Sequence, residues 1–136
     1  MTALYHAHSG LRYLVLLAGV AALLVLAYGV IARKPVGAGR GLSLAFTGLL
    51  DVQIVLGLVL VAGGMFYGAL MGHLTMMLLA GVAAHVASVL ARRAADERRA
   101  ATLRLAGVAL ALLLIVGGVM AIGRSLVGSA PPTVAG

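Results

Sequence analysis

Four histidines, His6, His8, His73 and His85, stand in a chain of 136 residues that holds three acidic side chains and no cysteine. Without cysteine, disulfide frameworks, Cys-ligated zinc, iron–sulfur clusters and thiol nucleophiles are all excluded. The chemistry left is that of imidazole, thioether and guanidinium groups. Met76 and Met77 follow His73 at i+3 and i+4, which places them near its face on a helix. Met120 precedes Arg124 by four residues. Two kinds of centre use such groups. A haem b takes one or two axial ligands, usually His, from facing helices of a bundle. His6 or His8 would supply one side and His73 the other, with Arg12 and Arg124 pairing with the anionic propionates. A copper ion takes imidazole and thioether ligands, and His6, His8, His73, Met76, Met77 and Met120 would offer both.

These groups must be carried by elements that suit an apolar chain. Hydrophobic residues make up 63% of the sequence and charged residues 10%, against about 25% charged in a soluble domain. The mean hydropathy is +1.17. The class this defines is an all-α integral membrane protein. A span needs roughly 20 apolar residues, and four such runs are present, at about 11–32, 42–62, 69–91 and 103–123. Arg33-Lys34-Pro35, Gly63-Gly64, Arg92-Arg93 and Arg124 end them. The expected fold is one domain of four antiparallel transmembrane helices, with a loose tail over 125–136. No basic residue precedes the first run, so it reads as a retained helix and not a signal peptide. No internal repeat is evident.

Charge sets an expected orientation. Arg33, Lys34 and Arg40 follow the first run, and Arg92, Arg93, Arg98, Arg99 and Arg104 follow the third. The opposite side carries Arg12 and Arg124. Both termini are therefore expected outside, with the basic loops in the cytoplasm of a bacterial inner membrane. Basic residues divided between two short loops argue against nucleic acid and for contact with anionic headgroups of the bilayer.

Depth sorts the polar residues. His6, His8, Arg12, His73 and Arg124 fall at the outer ends of three spans, with His6 and His8 just before the first. Met1, Met65, Met71, Met76, Met77 and Met120 fall in the same half. Asp51, Gln53 and His85 lie deeper. An ionisable group inside hydrocarbon must be neutral or partnered, so Asp51 and His85 are expected to form a buried hydrogen-bonded pair, with Gln53 nearby. Each residue also has an ordinary role. A terminal His can anchor the interface, Arg can snorkel to headgroups, and Met fills gaps in a core.

The stretch His6-Ala7-His8-Ser9-Gly10-Leu11-Arg12-Tyr13 resembles the His-x-His-Ser-Gly-x-Arg-Trp opening of small four-helix bacterial membrane proteins loosely labelled "cytochrome b". Gln53 to Leu58 is similar to the family's Gln-Leu-Leu-Ile-Gly-Leu segment. His73-Leu74-Thr75-Met76-Met77-Leu78 is similar to its His-Pro-Leu-Met-Met-Leu segment. The resemblance covers the cores of three spans and implies His6, His8, Arg12, Gln53 and His73 as a shared constellation. It departs at Asp51, where the family tends to carry His, and at Tyr13, where it carries Trp.

The expected function is a haem b-binding electron-transfer protein, or a small haem-bearing subunit of a respiratory or photosynthetic complex. It would be a carrier or accessory subunit more than a stand-alone enzyme. The rivals are a copper-binding or transport module, and a structural subunit with no cofactor, held by its Gly- and Ala-rich faces to other membrane subunits or to further copies of itself.

Overall fold

The computed structural model describes residues 1–124 and 126. Apart from Leu126, the expected loose tail lies outside the described residues. Among these there are four helices and no strand: α1 (Thr2–Ala32), α2 (Gly37–Ala62), α3 (Leu70–Arg92) and α4 (Glu97–Ala121). The shortest, α3, has 23 residues, about 34 Å at 1.5 Å per residue. All four are long and apolar enough to cross a membrane.

Three of the helix ends share one device. Arg33, Gly64 and Gly123 take positive φ, at 54°, 94° and 68°. In each case the next amide closes back onto the last turn. Lys34 N–H donates to Gly29 O at 3.1 Å, Met65 N–H to Leu60 O at 3.1 Å, and Arg124 N–H to Val119 O at 3.4 Å. This is the left-handed C-terminal cap that glycine favours. At Arg33 a side-chain-bearing residue adopts it, ahead of Pro35, which stops the helix. The start of α4 is fixed differently. Asp96 Oδ1 accepts from Arg99 N–H at 2.8 Å, an N-cap to the third helical residue.

Three helices begin earlier than expected, α2 among them at Gly37 and not at about 42. Helix α1 begins at Thr2, about nine residues before its apolar run, so His6 and His8 lie on the helix and not before it. Helix α4 begins at Glu97, which puts Arg104 two turns into a helix and not in a loop. The apolar run marks what suits hydrocarbon, whereas the backbone stays helical until a cap or Pro stops it.

The interior follows a spacing of alternating three and four residues. On α1 the buried positions are Val15, Gly19, Ala22, Leu26 and Gly29. On α2, Gly39, Ser43, Phe46, Leu50, Gln53 and Leu60 are buried. On α3, Met77, Ala80, Ala84 and Ala91 are, and on α4 Ala100, Arg104, Gly107, Ala111, Ile115 and Gly118 follow a similar stripe. Phe46 and Leu50 are the largest fully buried side chains. Small residues bring α3 and α4 together: a Cβ on Gly107 would collide with the Cβ of Ala87. The packing is uneven. Helix α3 lies against α4, and α1 against α2 and α4, whereas α2 meets α3 far less extensively. A lateral cleft follows from that looseness.

Candidate functional site

Extending each interior stripe towards the end that holds the N-terminus brings polar residues inward. One step before Val15 on α1 is Arg12, and the next is His8. Late on α2 the stripe carries Gln53 and Gly57. At the start of α3 it reaches His73, four residues before Met77. These residues converge. His8, Gln53, His73, Met77 and Arg124 line a cleft of about 540 Å³, together with Tyr5 and Gly57. A smaller cavity of about 70 Å³ adjoins it, lined by His8, Arg12, Gln53, His73 and Arg124. The larger volume falls in the range of cofactor sites, about 300–1,000 Å³.

The two imidazoles are held from different sides. His73 Nδ1 lies 3.0 Å from the carbonyl oxygen of Gly118. Nδ1 is therefore the donor and carries the proton, which leaves the Nε2 lone pair for another partner. Gln53 anchors His8. Its Nε2 donates to the His8 carbonyl at 2.9 Å and stands 3.4 Å from His8 Nε2, a weak contact. His8 Nδ1 and Gln53 Oε1 are buried with no hydrogen-bond partner. Orphaned buried polar atoms are rare and call for an explanation. Gly57 has a steric reason to be glycine, since a Cβ there would come within 3.1 Å of His8 Cε1.

Two guanidinium groups complete the lining. Arg124 is set by the α4 cap, donates to the Tyr5 hydroxyl, and stacks 5.5 Å from the Tyr5 ring centre. Arg12 donates to the Tyr13 hydroxyl at 2.7 Å and sits 4.7 Å over that ring. No carboxylate lines either cavity. The two adjoining cavities thus combine two imidazoles, two cations and apolar walls. Together they suit an anionic, largely apolar group that takes nitrogen ligands. Among the described residues no three His, Cys, Asp or Glu side chains could hold a metal ion together. A haem iron needs only one or two axial side chains.

Of the remaining candidates, Met77 alone lines the cavities. His6 is exposed on α1, and lines neither cavity. Met77 is buried and lines both. Met76 packs beside Gly118, and Met120 is 66% exposed.

Asp51 and His85 are close, with His85 Nε2 at 2.8 Å and 3.0 Å from the two carboxylate oxygens. The expectation of a buried pair that includes Gln53 needs correction. The His85 and Asp51 side chains are 57% and 44% exposed on the flank of the bundle, whereas Gln53 is 7% exposed and serves His8. The reason is helical geometry. Two residues apart on a helix means roughly 200° of rotation, so Asp51 and Gln53 point to opposite sides.

Comparison with protein-family models, with curated proteins and with solved structures finds no match for the chain. The cleft's own chemistry therefore carries the functional reading.

Proposed function

We propose that this chain is a haem b-binding membrane protein for electron transfer, alone or as a small subunit of a larger respiratory or photosynthetic complex. It would sit in a bacterial cytoplasmic membrane as four antiparallel spans with both termini outside. The carrying observation is that His8 and His73, from helices that do not pack on each other, line one cleft while each keeps a ring nitrogen without a good partner.

His73 and His8 would hold the iron, and Arg12 and Arg124 the propionates. When bound, a haem supplies reversible one-electron chemistry, tuned by its axial ligands and their hydrogen bonds. The Gly118 carbonyl fixes the His73 tautomer and orients the ring, as a metal-bound imidazole requires. Gln53 tethers the α1 turn that carries His8. Tyr5 braces Arg124 against the mouth of the cleft. The apolar walls exclude water from the ligand nitrogens.

A second reading rests on Met77. Its thioether lines the cleft with both histidines, a donor set suited to copper. The test is a visible spectrum of the purified protein, oxidised and dithionite-reduced, with metal analysis of the same sample from haem-competent cells. A reduced b-type band that disappears in His73→Ala supports haem. Copper without that band supports the second reading. A colourless, metal-free protein overturns both and leaves a structural subunit.

A further inference from the structure

The opposite end of the bundle carries a second cleft, of about 620 Å³, between the α1–α2 connection and the first turns of α4. Its cations are Arg33, Lys34, Arg40, Arg98 and Arg104. Its only carboxylates are Asp96 and Glu97, and Asp96 already caps α4. Arg104 occupies an interior stripe position and is 9% exposed. Its side chain makes neither a hydrogen bond nor an ion pair with any described residue. The charges that act on it are Arg40 and Arg92, of like sign, and Glu97, of opposite sign.

The Arg104 stem is packed in the interior stripe while its guanidinium reaches the cleft, and that group keeps its charge and its donors whatever surrounds it. Ser43 and Thr47, the buried polar residues of α2 near this half, bond to carbonyls of their own helix, Arg40 O and Ser43 O, both at 2.9 Å. Arg104 has no such recourse. It presents a planar donor fork to a cleft walled by four more cations, a geometry suited to phosphate oxygens.

We propose that this cleft binds a phosphate group, with Arg104 as the deep ligand and Arg33, Lys34, Arg40 and Arg98 around the mouth. The phosphate belongs either to an anionic phospholipid headgroup or to a soluble phosphate. The site is independent of the histidine cleft and does not depend on what that cleft holds.

The test uses the full chain in mild detergent. Phosphatidylglycerol binding is followed by native mass spectrometry, and inorganic phosphate is titrated in a parallel arm as a competitor. Arg104→Gln is expected to weaken phosphatidylglycerol binding at least tenfold. Arg93→Gln, which removes an exposed charge outside the cleft, is expected to leave it unchanged. Displacement by inorganic phosphate at millimolar concentration assigns the site to a soluble phosphate, and its absence assigns it to a headgroup. Equal binding by Arg104→Gln and the native protein overturns the proposal, as does an equal loss in Arg93→Gln. If Arg104→Gln does not fold, the Arg33→Gln/Arg40→Gln double variant takes its place, since both side chains are exposed.

Discussion

Gln53→Leu separates a binding role for the histidine cleft from a structural one. Gln53 is 7% exposed. Its amide nitrogen bonds to the His8 carbonyl at 2.9 Å, while its Oε1 has no partner. Losing a hydrogen bond costs roughly 0.5–1.5 kcal/mol net, and an unsatisfied buried acceptor costs roughly 1–3 kcal/mol. Leucine has a similar bulk and removes both at once. The two effects nearly cancel, with the balance towards stabilisation, so the apoprotein should melt at or slightly above the native temperature. The α1 turn that carries His8, however, loses its tether. If that tether is worth about 1.4 kcal/mol to a bound cofactor, retention falls about tenfold. The assay is the ratio of reduced Soret absorbance to protein after purification, with the melting temperature of the same samples. A changed band position in the residual holoprotein would report altered ligation at His8. A Gln53→Leu protein that is destabilised by several kcal/mol yet keeps full cofactor content would refute the reasoning. Gln53 would then be an interhelical tie.

His73→Ala should abolish cofactor retention with a modest effect on folding, read from pigment content and melting temperature, because it leaves only the Gly118 carbonyl without its side-chain donor. Met120→Leu should change neither, since that side chain is 66% exposed and away from the cleft. Gly107→Leu should separate α3 from α4, because even a Cβ there collides with Ala87. Overpacking of this kind costs about 1–3 kcal/mol, visible as a lower melting temperature. Asp51→Leu or His85→Leu alone should reduce the yield of folded protein more than the double variant, since either leaves one polar group without its partner on an apolar flank. Additive losses in that cycle would show that the pair is not coupled.

The four helices were legible because composition and apolar run length state them directly. Their true starts were not, because Thr2–Gly10 and Glu97–Thr102 are polar enough to fall outside an apolar window, yet contain no residue that breaks a helix. The depth of His8, Arg12, His73 and Arg124 was legible from their distance to the span ends. Their azimuth was not. A three-and-four count from Val15 backwards reaches Arg12 and His8, and from Met77 reaches His73. That count was available in the sequence once the stripe had been located. It also separates His8 from His6 and Gln53 from Asp51, pairs that depth alone leaves together. Arg104 was counted with the loop charges because its neighbours Arg98 and Arg99 are basic. Only the interior stripe of α4 distinguishes it.

The interior polar residues divide by how they are satisfied. Ser43 and Thr47 have short side chains that reach carbonyls three and four residues back on their own helix. They ask nothing of the surroundings and fit a purely structural role. His8, Gln53 and Arg104 are too long, or too rigid, to close onto their own turn. His8 and Gln53 leave a ring nitrogen and an amide oxygen in the interior without an internal partner, and Arg104 sends its guanidinium into the basic cleft with no acceptor among the described residues. A chain this apolar has ample choice of Leu, Ala and Gly for stripe positions, and uses them almost everywhere else. A polar residue there that folding does not satisfy is a net cost to the empty bundle. In both proposals the offset comes from a ligand outside the chain. The two ends differ in what they offer it, imidazole nitrogen with flanking cations at one and cations alone at the other. The two proposed sites thus differ in chemistry, and the deletions that test them, His73→Ala and Arg104→Gln, should each affect one site and spare the other.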